Sequence, residues 1–111
     1  VPWYSRDLQT TDEDLLYKTQ DSRSLVVDSV MADLNFAVVN MKSNTDRTLF
    51  SKEVALALLA RIALSEASWR KYHAELELND ADKYYQIAIA ACEELMRSGS
   101  FSLNIDFLIA V

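Results

Sequence analysis

Trp69, Tyr72 and His73 occur at spacings that place side chains next to one another on a helix. They lie at the end of the segment KEVALALLARIALSEASWRKYH, residues 52–73, and helical residues three or four positions apart share one side. Such a surface can stack on the apolar face of a ligand, while Arg70 or His73 hydrogen-bonds to its polar groups. Aromatic residues more often serve as packing with their polar tips in water, so packing at a helix end is the alternative.

Trp3 and Tyr4 form a second candidate pair. They belong to the segment VPWYSRDLQTT, residues 1–11, which has no consistent hydrophobic period and is therefore predicted to be an extended lead-in. Binding residues concentrate on loops, but a Pro-Trp segment can equally anchor a loop to helices. Trp3, Tyr4, Trp69 and Tyr72 are the predicted ligand-binding residues, with packing as the alternative at each position.

Other kinds of chemistry have little support in this sequence. His73 is the only histidine and Cys92 the only cysteine, so the usual zinc-binding sets cannot be assembled from this chain. A single glycine excludes a Gly-rich phosphate loop, and the net charge of −6 argues against a nucleic-acid surface. We therefore expect no catalytic residue, no metal, no cofactor and no nucleic-acid partner, and the protein is predicted not to be an enzyme.

The composition predicts helices. Half of the 111 residues are hydrophobic, a quarter are charged, and there is only one Gly and one Pro, although folds rich in strands need these residues for their many turns. The hydrophobic pattern predicts a short turn at Asp14–Tyr17 and helices that begin near Asp21 or Ser22, after Ser51 and after Asp80, the last of them ending at Gly99. The predicted buried positions are Val27, Val30, Met31, Leu34, Ala37, Val38 and Met41 on the first long helix, and Tyr84, Tyr85, Ala88, Ala91, Cys92, Leu95 and Met96 on the last.

The central helix is unusually apolar. Ten of the eleven residues from Val54 to Leu64 are apolar, which is too many for one side of a helix. We expect neighbours on more than one side, as in the middle of a stack. The predicted fold is therefore all-α, with tetratricopeptide-like stacked helices.

Four blocks in this order resemble the SusD/RagB family of nutrient-binding outer-membrane lipoproteins of Bacteroidetes. They are VPWYSRDLQTTDEDLLYKTQDSR, VMADLNFAVVNM, SKEVALALLARIALSEASWRKYH and YYQIAIAACEELMRSGSFSL, and together they extend over residues 1–103. The resemblance implies that residues 1–103 are a SusD-like helical segment and an internal fragment of a longer protein. Residues 104–111, NIDFLIAV, have no counterpart in it and stay unassigned.

The same resemblance implies a function. It implies non-enzymatic binding of an oligosaccharide or other nutrient at the extracellular face of the outer membrane, and delivery to a SusC-like TonB-dependent transporter. The lipid anchor of such proteins would lie in a part of the parent protein outside this sequence. Two alternatives stay open: a tetratricopeptide-like adaptor that binds a partner protein, and a helical subunit of an enzyme whose catalytic half lies elsewhere.

Overall fold

The computed structural model describes residues 1–44, 46 and 48–103. Their regular structure is entirely helical, which confirms the predicted all-α class. The helices are α1 (Glu13–Leu16), α2 (Arg23–Asn40), α3 (Lys52–Tyr72) and α4 (Ala81–Arg97), with a 3₁₀ turn at Ala74–Leu76. The chain divides into two compact units, Val1–Asp33 and Leu34–Val111, which are described separately below. The predicted unassigned tail, residues 104–111, lies outside the described residues.

The first unit contains the lead-in, α1 and the start of α2. The lead-in, residues 1–11, contains no helix or strand, and the predicted short helical turn is α1. Ser22 caps α2, because its hydroxyl oxygen accepts a hydrogen bond from the backbone N–H of Leu25 at 3.3 Å. The predicted apolar stripe of α2 is confirmed, since its seven members are all buried or half-buried.

In the second unit, α3 packs against α4. Small residues dominate the contact, and the alanines let the two backbones approach closely. The fully or almost fully buried apolar residues are Ala55, Leu56, Leu59, Ala63 and Ala67 on α3, and Tyr84, Ala88 and Ala91 on α4. Burial on this side follows from the helical period of the sequence.

The other side of α3 stays exposed within the described residues. Val54, Leu58 and Leu64 belong to the apolar run, yet each keeps roughly half of its surface in solvent. The expected burial of α3 on more than one side is therefore not found in the described part of the chain. Stacking of the tetratricopeptide kind is not confirmed.

The buried stripe of α4 is narrower than predicted. Tyr84, Ala88 and Ala91 are buried, but Cys92 and Met96 are exposed, so the prediction was wrong at these two positions. The reason is the width of the α3 contact: small residues on α3 cover only the central part of the apolar surface of α4.

An ion pair joins the start of α3 to the end of α4. Lys52 Nζ at the start of α3 lies 2.8 Å from Glu94 Oε1 near the end of α4. Ser51 occupies the predicted N-cap position without a side-chain capping bond. Hydrogen bonds from the Ser43 hydroxyl and from its own backbone N–H lower the pKa of the buried Glu53 below its ordinary value. Gly99, at φ 67°, ends α4 in the left-handed conformation that a glycine adopts without strain.

At the opposite end of the pair, a buried arginine connects α3 to the start of α4. Arg70 is only 2% exposed, its Nε donates to Glu66 Oε1 at 2.7 Å, and its Nη1 donates to Asp80 Oδ1 at 2.7 Å. The Arg70 guanidinium carbon lies 4.5 Å from the ring centroid of the buried Tyr84. Burial opposes the charge, but the hydrogen bonds to Asp80 and Glu66 outweigh it and raise the pKa of Arg70.

The sequence placed two of these residues in other roles. Asp80 does occupy the N-cap position of α4, as predicted, but its carboxylate binds Arg70 and makes no side-chain capping bond. Arg70 was considered as a hydrogen-bond donor to a ligand, and this was wrong because its guanidinium is enclosed between α3 and α4.

Replacing Arg70 by leucine should lower the free energy of unfolding by about 3–5 kcal/mol, because the buried carboxylate of Glu66 loses its ion pair with Arg70. The double substitution Glu66→Leu/Arg70→Leu should recover much of this loss, since it removes both charges. Asp80 is about half exposed, so Asp80→Asn should cost only about 1 kcal/mol.

Urea denaturation followed by circular dichroism measures all three changes. Arg61→Leu is the matched control, because it removes an exposed arginine from the same helix. A double variant as unstable as Arg70→Leu alone would show that the pair is not the source of the effect.

Candidate functional site

Trp69 and Tyr72 lie in the last turn and a half of α3 and are both exposed. Trp69 has 42% of its surface in solvent and Tyr72 has 75%. They are three residues apart and therefore lie on the same side of the helix, away from the side that packs on α4. The structure thus places this predicted pair where a ligand can reach it.

His73 follows directly and contacts Trp69. The centroids of the two rings are 3.9 Å apart and their planes are tilted by 36°. His73 is also the residue at which α3 ends, and its backbone N–H still donates to the carbonyl oxygen of Trp69 at 3.0 Å. The backbone at the end of the helix therefore keeps the two residues next to each other.

The imidazole of His73 is also hydrogen-bonded to Glu75. His73 Nδ1 and Glu75 Oε1 are 2.9 Å apart, and because a carboxylate can only accept, Nδ1 carries the proton. This hydrogen bond from His73 holds the pKa of Glu75 below its ordinary value. Glu75 is therefore ionised at neutral pH, and it stays largely exposed. We call these three residues the Trp69–His73–Glu75 cluster.

The sequence predicted two members of this cluster and missed the third. Glu75 lies beyond the end of α3, where helical spacing no longer indicates which side chains meet. The 3₁₀ turn Ala74–Leu76 brings it back to His73, and the backbone N–H of Leu76 donates to the carbonyl oxygen of His73 at 3.1 Å. The spacing His-x-Glu directly after a helix was the available signal.

The other candidate pair, Trp3 and Tyr4, lies in the first unit and is half-buried. Both backbone polar groups of Trp3 are hydrogen-bonded. Its N–H donates to Asp21 Oδ2 at 2.7 Å, and its carbonyl oxygen accepts from Lys18 Nζ at 3.1 Å. Lys18 and Asp21 also form an ion pair at 2.7 Å, so three residues make one closed arrangement.

Tyr4 is engaged through its hydroxyl and its ring. The hydroxyl donates to the backbone carbonyl oxygen of Leu15 in α1. Lys18 Nζ lies 5.5 Å from the ring centroid, within the range of a cation–π contact. These contacts attach Tyr4 to α1 and to Lys18. They agree with the alternative in which Tyr4 packs against the protein and does not bind a ligand.

Trp3 and Tyr4 nevertheless border a groove within the first unit. Its remaining lining combines two hydroxyls, a methyl group and a carboxylate, supplied by Ser5, Ser29, Ala32 and Asp33. Aromatic rings beside hydroxyl and carboxylate groups are suited to polar ligands with some apolar surface. The role of Trp3 and Tyr4 in binding stays a prediction.

Within the described residues, no group of three or more His, Cys, Asp or Glu side chains is arranged to hold a metal ion. None of the helices in the described part of the chain is both long enough and apolar enough to cross a membrane.

The anchoring of the lead-in should depend on Asp21. Hydrogen bonds from Lys18 and from the backbone N–H of Trp3 lower the pKa of Asp21 in the folded protein. A carboxyl group whose pKa is lower in the folded protein stabilises the fold at pH values above its unfolded pKa of about 4. This stabilisation is lost as the pH falls through the pKa of the folded protein. In a Trp69→Phe background, Trp3 emission should shift to longer wavelength only below about pH 4.

Asp21→Asn should produce the same shift at pH 7, because the anchoring carboxylate is gone. Asp7→Asn removes an exposed carboxyl from the same lead-in and should leave the emission unchanged. If Asp21→Asn also leaves the emission at pH 7 unchanged, Asp21 does not anchor Trp3.

Comparison of the chain with protein-family models, with curated proteins and with solved structures finds no match.

Proposed function

We propose that this chain is a helical part of a SusD-like protein that binds an oligosaccharide or other nutrient without breaking bonds in it. The proposal includes a position at the extracellular face of a bacterial outer membrane and delivery of the ligand to a SusC-like TonB-dependent transporter. The ordered sequence blocks of residues 1–103 support it. The structural observation that carries it is the exposed pair Trp69 and Tyr72 at the end of α3.

Exposed aromatic side chains suit saccharide binding for a physical reason. One side of a pyranose carries C–H groups and stacks on a ring, while its hydroxyls need hydrogen-bonding partners around the rim. The Trp69–His73–Glu75 cluster offers both, since an ionised carboxylate lies next to an aromatic surface. The Arg70 network underneath holds the end of α3 in place, so the rings need little ordering upon binding.

A second candidate, a protein-binding adaptor, is favoured by a different observation. Leu58 on α3 and Ile89 and Met96 on α4 are exposed apolar residues outside the α3–α4 contact. Apolar residues that a helix pair leaves uncovered are suited to packing against helices of a partner protein. The adaptor predicts that Met96→Glu abolishes partner binding and that oligosaccharides have no effect.

The saccharide proposal is tested with two single-tryptophan variants. Trp3→Phe leaves Trp69 as the only tryptophan, and Trp69→Phe leaves Trp3. Each variant is titrated with neutral and acidic oligosaccharides of four to eight residues while the emission is recorded. We expect saturable changes in the variant that retains Trp69, because stacking alters the surroundings of the indole.

Calorimetric titration of the unaltered chain with the same oligosaccharides is the control for binding that leaves the emission unchanged. Absence of binding in both experiments would contradict the proposed function and leave the adaptor as the remaining candidate.

A further inference from the structure

We infer that the Trp69–His73–Glu75 cluster selects uncharged saccharides over anionic ones such as uronates. The inference rests on the proposed function and specifies the ligand class and the residues that choose it. It depends on how the three side chains are arranged and on the charges around them.

The surface available for stacking is the exposed part of the Trp69 indole. His73 lies against the Trp69 indole at 3.9 Å and is held there by Glu75. A ligand therefore contacts the part of the indole that remains exposed, 42% of the residue surface, and it does so beside the imidazole.

The hydroxyl groups of a stacked sugar would meet the carboxylate of Glu75. Glu75 is largely exposed and accepts a hydrogen bond from His73 Nδ1 at 2.9 Å, so at neutral pH it is a carboxylate and can only accept hydrogen bonds. Sugar hydroxyls donate to such a group, and a hydrogen bond to a charged acceptor is stronger than one to a neutral acceptor. A uronate carboxylate in the same place would instead meet a like charge and raise the energy of the complex.

Other charged residues lie near Glu75 in the sequence. Glu77, in the same turn as Glu75, is exposed and adds to the negative potential. Of the nearby cations, Arg70 is buried and bound to Glu66 and Asp80. The Lys71 ammonium lies over the ring of Tyr72, 5.6 Å from its centroid, so its charge is directed at that ring. Lys71 also lies two residues beyond Trp69, hence on nearly the opposite side of the helix. With a net chain charge of −6, an anionic ligand is disfavoured at this position.

The test compares a neutral glucan of six residues, maltohexaose, with a galacturonate oligomer of the same length, by calorimetric titration of the full chain at pH 7. We expect maltohexaose to bind at least about tenfold more tightly than the galacturonate. Trp69→Ala should weaken maltohexaose binding about tenfold. Glu75→Gln should narrow the difference between the two ligands, whereas Glu93→Gln, an exposed carboxyl on α4, should leave it unchanged.

Each other outcome overturns the inference in a distinguishable way. If the galacturonate binds as tightly as maltohexaose, the cluster does not select by charge. If the unaltered chain binds maltohexaose and Trp69→Ala binds it equally well, the ligand lies elsewhere and the proposed function still stands. If the unaltered chain binds no saccharide, the proposed function fails together with the inference.

Discussion

The α3–α4 pair depends on the buried guanidinium of Arg70. A guanidinium enclosed between two helices is costly to remove from water, and the structure compensates with two carboxylates and an aromatic ring. Glu66 is on the same helix as Arg70, whereas Asp80 comes after the connecting segment, so the arginine determines where α4 begins relative to α3. The eight residues between the two helices must return the chain to Asp80, and the 3₁₀ turn that carries Glu75 lies within them. The turn that carries Glu75 thus lies within the segment that the hydrogen bond between Arg70 and Asp80 closes.

The apolar character of α3 has a corresponding explanation. One side is filled by α4 through alanines and leucines that permit a close approach of the helices. The second side carries Val54, Leu58 and Leu64 and ends in Trp69 and Tyr72, all of them exposed in the described residues. A helix whose opposite sides are both apolar is typical of stacked helical arrays, in which each pair is covered by its neighbours. The sequence pattern and the exposed surface are therefore consistent with each other.

Local patterns predicted most of the helices, because hydrophobic period, capping residues and the single glycine act within a few residues of one another. The all-α class, the stripe of α2 and the end of α4 at Gly99 were predicted for this reason. Cys92 and Met96 were misplaced because burial depends on how wide a surface the partner helix covers, which a single helix does not encode. The Arg70 network was missed because arginine is rarely buried, and its second partner, Asp80, is ten residues away across a turn. Exposure of Trp69 and Tyr72 could be anticipated only as one of two alternatives.

The proposed function requires that the aromatic surface at the end of α3 contacts a saccharide. The chain has two tryptophans, so a nitrogen-15 correlation spectrum contains two indole N–H signals, which the single substitutions Trp3→Phe and Trp69→Phe assign. The most direct measurement is this spectrum during addition of maltohexaose. We expect a saturable shift of the Trp69 indole signal, accompanied by shifts at the backbone amides of His73 and Glu75. A Trp69 signal that stays fixed at saturating oligosaccharide would contradict it.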